Sequence, residues 1–251
     1  MSEPIRINKY LSTHGYCSRR EADRLIEKGK VFINDELATL GSKVNPGDDV
    51  RVEGRDRKKP PKKIYLLVNK PSGVIVTTDT RKKDNIIDLL DYPERVFPVG
   101  RLDVKTEGLL LLTNDGILSN RLMHPRYEHE KEYVVRVDRP IEKIDIGRWQ
   151  NGVVLDDGRT LPAKVRQLGP YKFAIILREG RNRQIRRMCE ALGYDVITLQ
   201  RTRVGTLKIP MSYPVGNWRH LTESEVRQLK KLVGLDPGPP PKQKKKKRPR
   251  K

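Results

Sequence analysis

Ten consecutive residues without an apolar side chain, Gly54 to Lys63, constrain this chain more than any other stretch. A segment with nothing to bury and two adjacent prolines, which favour extended backbone, reads as an exposed linker rather than part of a core. It divides the chain into a short N-terminal unit and a longer second one, each needing its own core. At 251 residues the chain has the length for two folded units, on a prior of roughly 100 to 200 residues per domain. The expected boundaries are 1–52 for the first domain, 53–63 for the basic linker, 64–235 for the second domain and 236–251 for a disordered basic tail.

The N-terminal unit reads as two helices followed by short strands. Ile7, Tyr10 and Leu11 repeat at i, i+3, i+4, as do Ala22, Leu25 and Ile26, each set giving one apolar stripe of a helix. Ser18 with Glu21 has the spacing of a capping box and sets the start of the second helix. Gly29 closes it, Val31 to Ile33 reads as a strand entering the turn Asn34-Asp35-Glu36, and Pro46-Gly47-Asp48 turns the chain before Val50 and Val52.

Beyond the linker, strand-like segments at 64–68, 74–77, 109–113, 133–137 and 173–177 mix with helical ones at 86–90, 116–123, 183–192 and 223–233. Their irregular order argues for an α+β domain with a mixed, largely antiparallel sheet rather than a doubly wound fold. Thr222 with Glu225 is a second capping box.

Charge narrows the partners. The formal net charge is +21, and without the eight cations of the tail Lys242–Lys251 it is still +13. Such an excess marks a chain that neutralises phosphates. In the N-terminal unit Arg6, Lys9, Arg19, Arg20, Arg24, Lys28 and Lys30 oppose only Glu21, Asp23 and Glu27. By charge alone these are a solvated face; two short helices could also present them together to one nucleic-acid backbone.

Two cysteines, Cys17 and Cys189, form no C-x-x-C motif and suggest neither a disulfide framework nor a zinc site. The expected compartment is the cytoplasm. No signal-peptide pattern and no run near the roughly 20 apolar residues of a membrane helix is present, so no membrane partner is expected. His124 and His129, with Glu128 and Glu130 beside them, are spaced too loosely for a metal site. Neither G-x-G-x-x-G nor G-K-[ST] occurs, which argues against a nucleotide-dependent methyltransferase or ATPase.

Arg6-Ile-Asn-Lys-Tyr-Leu, then Cys17-Ser-Arg-Arg-Glu-Ala-Asp-Arg-Leu-Ile, then Gly29-Lys-Val-Phe-Ile-Asn-Asp resembles the S4 RNA-binding module over residues 5 to 52. The resemblance implies that the two helices and the following turn hold structured RNA by its shape and backbone. It makes Arg19, Arg20 and Lys30 the main RNA contacts, with Arg6 and Lys9 beside them.

By itself an aspartate in a loop is a turn or capping residue more often than a catalyst. Asp103, however, stands in Gly100-Arg-Leu-Asp103, followed by Thr106-Glu-Gly108 and the run Leu109 to Leu112. This resembles the signature of ribosomal RNA pseudouridine synthases of the small-subunit-A-like branch, in which the aspartate is the nucleophile. A carboxylate can act on the sugar or the base without a metal or cofactor. The same resemblance makes Tyr133, in His129-Glu-Lys-Glu-Tyr133, the aromatic that stacks on a flipped uracil. In Glu179-Gly-Arg-Asn-Arg-Gln-Ile-Arg-Arg-Met-Cys-Glu-Ala-Leu-Gly193, the stripe Ile185, Met188, Cys189, Leu192 faces a core. The family's Gln-Ile-Arg element then assigns Arg186 as the cation that orients the carboxylate, with Arg183 second. Arg101 becomes the residue that fills the gap left by the base or holds a phosphate.

Within the family the likeness is closest to the F-type subgroup acting on large-subunit (23S) rRNA. It implies an α+β catalytic domain, an isomerase without cofactor, ribosomal RNA as partner with transfer RNA as a second candidate, and a monomer. The rival reading is a non-catalytic RNA-binding or ribosome-assembly protein retaining the fold.

Overall fold

The computed structural model describes residues 3–55, 61–210 and 212–235. Residues 56–60 of the expected linker and the whole expected tail, 236–251, lie outside the described residues.

The N-terminal segment runs β1 (Ile5–Arg6), α1 (Ile7–Thr13), α2 (Arg19–Glu27), β2 (Val31–Ile33), β3 (Glu36–Leu37), β4 (Lys43–Val44) and β5 (Val50–Val52). Ile7 and Leu11 of α1 and Ala22, Leu25 and Ile26 of α2 bury together with Val31, Val44, Val50 and Val52, so the two helical stripes share one small core. Asn34 and Asp35 both take positive φ, the conformation a two-residue hairpin turn between right-twisted strands requires. That turn joins β2 to β3, and β2 also pairs antiparallel with β5. The Ser18 hydroxyl accepts from the Glu21 amide at 3.1 Å, a cap worth about 1 kcal/mol. The Glu21 carboxylate lies near Arg24 (3.6 Å) and Arg55 (3.7 Å), and among the described residues the reciprocal bond of the box is seen only in the later helix opened by Thr222.

The chain continues with β6 (Tyr65–Lys70), α3 (Ile86–Leu90), β7 (Phe97–Pro98), β8 (Glu107–Thr113), α4 (Gly116–Met123), β9 (Lys131–Val137) and α5 (Lys143–Asn151). It then forms β10 (Val154–Leu155), β11 (Gly158–Arg159), β12 (Lys164–Gly169), β13 (Lys172–Leu177), α6 (Gln184–Glu190), β14 (Val196–Val204), β15 (Leu207–Lys208), β16 (Trp218–His220) and α7 (Glu223–Leu232). Residues 74–77, expected as a strand, are not one. Ile75 forms only an isolated bridge to Asn85, because Asn85 immediately turns to cap α3, accepting from the amides of Ile87 and Asp88. The expected helix 183–192 is shorter, since Arg183 takes a left-handed φ of 46° at its N-cap.

The chain divides into two compact units: Met1–Lys105, Leu110–Asn120 and Pro214–His220 in the first, Thr106–Leu109, Arg121–Tyr213 and Leu221–Lys251 in the second. In the first, beyond the N-terminal segment, β6 is buried along its whole length and pairs antiparallel with β16, while β7 pairs with the end of β8. In the second, the sheet order is β12-β13-β9-β14, followed by the first residues of β8. All of these pairings are antiparallel except β14 with β8, so the fold is α+β with a mixed sheet. Trp149 of α5 stacks on Phe173 of β13 at 4.4 Å, and Ile185, Met188 and Cys189 of α6 join Val135, Val137 and Leu199 in the same core. Among the described residues no helix is long and apolar enough to cross a membrane. Cys17 and Cys189 are both free thiols and both buried.

Candidate active site and RNA interface

Asp103 belongs to the first unit, in the loop between β7 and β8. Val99 hydrogen-bonds back to Leu111, and Gly100 turns the chain with a φ of 75°. The loop is fixed again directly after the aspartate: the Val104 carbonyl accepts from the Gly73 amide at 2.9 Å and from the Lys70 ammonium at 3.1 Å. Lys70 is fully buried and also donates to the Pro71 carbonyl at 2.8 Å. A buried ammonium must be satisfied by such acceptors, so the lysine and the loop hold each other in place. Leu102 and Thr106 are buried on either side of the half-buried Asp103, and Arg101 is exposed. Sequence reading missed Lys70; its signal is a cation ending a largely apolar strand, followed at once by proline.

Tyr133, Arg183 and Arg186 belong to the second unit. Alternation along β9 puts Lys131, Tyr133, Val135 and Val137 on one face, and the ring of Tyr133, half buried, packs against the core that Val135 and Val137 enter. Opposite Tyr133 in the register stand Ile175 of β13 and Arg201 of β14. Arg201 is only 3% exposed, and its Nε donates to the Leu109 carbonyl at 2.8 Å. Across β14, Arg201 pairs with Gly108, where a Cβ would lie 2.3 Å from the Arg201 carbonyl oxygen. Glycine is thus required by the close approach of two backbones.

The acids on either side of Lys131 point the other way. Glu130 and Glu132 both accept from Arg203 at 3.0 Å, and Lys164 reaches Glu130 at 3.0 Å. These bonds, Lys164 first, hold the Glu130 carboxyl below the usual carboxylate range.

In and just before α6 the arginines separate by task. Arg187 grips Asp156 and Asp157 at 2.7 and 2.9 Å, and Arg181 bonds Glu179, Asp157 and the Gly158 carbonyl, tying the β10–β11 hairpin to the start of the helix. Arg183 is exposed, whereas Arg186 is half buried and donates to the Val196 carbonyl at 3.3 Å. The stretch His124–Glu130 is a ring stack: Tyr127 lies parallel to His129, with His124 at its edge and the Arg126 guanidinium 4.6 Å over its face.

In the N-terminal segment Arg6, Lys9, Arg19, Arg20 and Lys30 are all exposed. Arg19 donates to the Asn8 side chain at 3.2 Å, which in turn donates to Asp23 at 2.8 Å, so α1 and α2 present their cations in a fixed relation. Lys30 stands 3.8 Å from Glu53.

Residues 64–191 match the family model described as RNA pseudouridylate synthase, and residues 5–50 match that of the S4 domain. The chain is 45% identical over 231 residues to the dual-specificity RNA pseudouridine synthase RluF of Escherichia coli K12, covering 91% of this chain and 79% of that protein. It is 40% identical to the ribosomal large subunit pseudouridine synthase B of Bacillus subtilis, over 91% of this chain and 96% of the relative. A crystal structure of a pseudouridylate synthase aligns with a TM-score of 0.67 at 32% identity, over 90% of this chain and 99% of the other.

Proposed function

Because the chain belongs to the RNA pseudouridylate synthase family, we propose that it isomerises a uridine of 23S ribosomal RNA to pseudouridine, with a transfer RNA as a second substrate. The observation that carries the reading is the Asp103 loop. A half-buried carboxylate is held in a turn that Lys70 and Gly73 fix one residue further on, which is the rigidity a nucleophile needs. The 23S substrate is supported by the large-subunit relative, and the transfer RNA by the dual specificity in the name of the Escherichia coli one.

In this reading Asp103 is the nucleophile, Tyr133 stacks on the flipped uracil and Arg186 orients the carboxylate. Arg101 and Arg183 hold the RNA strand around the target. Arg6, Lys9, Arg19, Arg20 and Lys30 dock structured RNA, with 1–52 as the RNA-binding domain, 53–63 as the linker, 64–235 as the catalytic domain and 236–251 as the tail. Uridine and pseudouridine are isomers, so the reaction needs no net oxidant, and with a carboxylate as nucleophile the reading calls for no cofactor. The enzyme acts as a monomer in the cytoplasm.

The experiment is release of tritium from carbon 5 of uracil in unmodified 23S RNA, comparing the native protein with Asp103→Asn. The native protein should release it, and the variant should lose roughly 10⁴-fold or more while still binding RNA. Equal release by both removes Asp103 from its role, and RNA binding without release by the native protein on 23S, 16S and transfer RNA favours the non-catalytic reading.

A further inference from the structure

Arg201 is a buried cation of the second unit and Lys131 a partly buried one, and neither has a carboxylate partner among the described residues. Arg201 gives one bond to the Leu109 carbonyl, and Lys131 one long bond, 3.3 Å, to the His129 carbonyl. The acids next in sequence, Glu130 and Glu132, alternate to the other face of β9 and are taken by Lys164 and Arg203. Burial holds the Lys131 ammonium below the ordinary lysine range, and the nearby guanidinium of Arg201 adds to the effect. Burying two like charges without a counter-charge is costly, and such an arrangement is repaid when an anion arrives.

The register says where that anion would sit. Arg201 is directly opposite Tyr133, and Lys131 is two residues along the same face. We infer that Lys131 and Arg201 form an electrostatic subsite for the carbonyl edge of the uracil beside Tyr133, stabilising the negative charge that the base acquires during isomerisation. The inference rests on the reading of Tyr133 above.

It does not depend on how Asp103 acts. If the carboxylate attacks the anomeric carbon, or takes the 2′ proton, the bond from C1′ to N1 breaks with its electron pair left on the ring, spread over N1, O2 and O4. If it adds to the base, an enolate forms at O4. In each case the C1′–N1 bond is broken and the ring uses an electron pair at C5 to bond C1′; Asp103 is released from C1′ or from the base, or returns its proton to C2′, the C5 hydrogen leaves as a proton and N1 takes one up, so atoms and electrons balance. Fixed donors aimed at such developing charge in a dry pocket act far more strongly than in water. An RNA phosphate fits less well, because it keeps part of its hydration whereas Arg201 is almost wholly covered.

The test uses the full chain, with Lys131→Met as the main variant and Arg201→Lys against Arg201→Met as the second. For Lys131→Met we expect kcat for tritium release to fall roughly 10²-fold with little change in KM. RNA affinity should keep the native salt dependence, and melting should come at the same or a higher temperature because the repulsion with Arg201 is gone. Arg201→Lys should recover part of the rate that Arg201→Met loses. An unchanged kcat overturns the inference, as does a rate loss that merely tracks a lower melting temperature, which marks a structural peg. A raised KM with a salt slope reduced by about one charge overturns it in favour of a phosphate contact. A native protein that releases no tritium sinks the reading of the function instead, so the two failures are distinguishable.

Discussion

The N-terminal segment and the sheet of the second unit are both rich in cations, and they place them in opposite ways. In the first, Arg6, Lys9, Arg20 and Lys30 stand in solvent over a small core built only from the inner faces of two short helices and a few strand residues. In the second, Lys131 of β9 and Arg201 of β14 lie inward, each bonded to a backbone carbonyl. Exposed charge costs nothing to fold and attracts any phosphate within a Debye length. Inward charge costs stability and acts only on a group delivered to one place. The first arrangement suits capture of an RNA, the second suits discrimination of one atom from the next.

Several substitutions can break or sharpen that contrast. The largest effect on stability is expected from Gly108→Ala, which drives a Cβ against the Arg201 backbone at a φ of 100°; it should cost more than about 3 kcal/mol in denaturant unfolding. Arg203→Met leaves Glu132 without its partner and Glu130 with Lys164 alone, and should cost about 2 kcal/mol at neutral pH. Because the folded Glu130 carboxyl lies below its ordinary range, its contribution is present above the unfolded pKa and is lost as pH falls through the folded one. Melting curves should therefore show that Arg203→Met has less stability to lose on acidification than the native protein.

Replacing Arg19, Arg20 and Lys30 together by Gln should leave melting nearly unchanged. It should weaken RNA binding and lower the slope of log affinity against log salt by about 2 to 3. The same triple change producing a large loss of kcat at saturating RNA would erase the distinction between capture and chemistry. Glu53→Gln, which removes the exposed partner of Lys30, should move stability by less than about 0.5 kcal/mol.

How much of this was legible in the sequence follows the same division. The helix starts at Ser18 and Thr222, the hairpin turn at Asn34 and the strand Val31–Ile33 are local matters, fixed by side chains within a few positions of one another, and the structure has them where the pattern put them. β14 was not legible. Its centre carries a buried arginine and its second residue, Ile197, is exposed, so the apolar alternation that marks a strand is inverted by tertiary placement. β12 was hidden for the plainer reason that most of its residues are exposed. α5 was hidden by a glycine in its interior and a buried aspartate, Asp145, which accepts from Tyr194 far along the chain. Likewise the aspartate loop was visible as a motif, but the lysine that pins it was not, because Lys70 meets Val104 only after folding.

The two cysteines give the molecule a further property. Cys17 lies in the first unit and Cys189 in the second, and burial raises both thiols, the latter up to about 12. A protonated, covered thiol does not react with an alkylating reagent until its surroundings open. The chain thus carries one intrinsic chemical clock in each unit, and mass-resolved labelling at the two positions would time their openings independently, without any added probe.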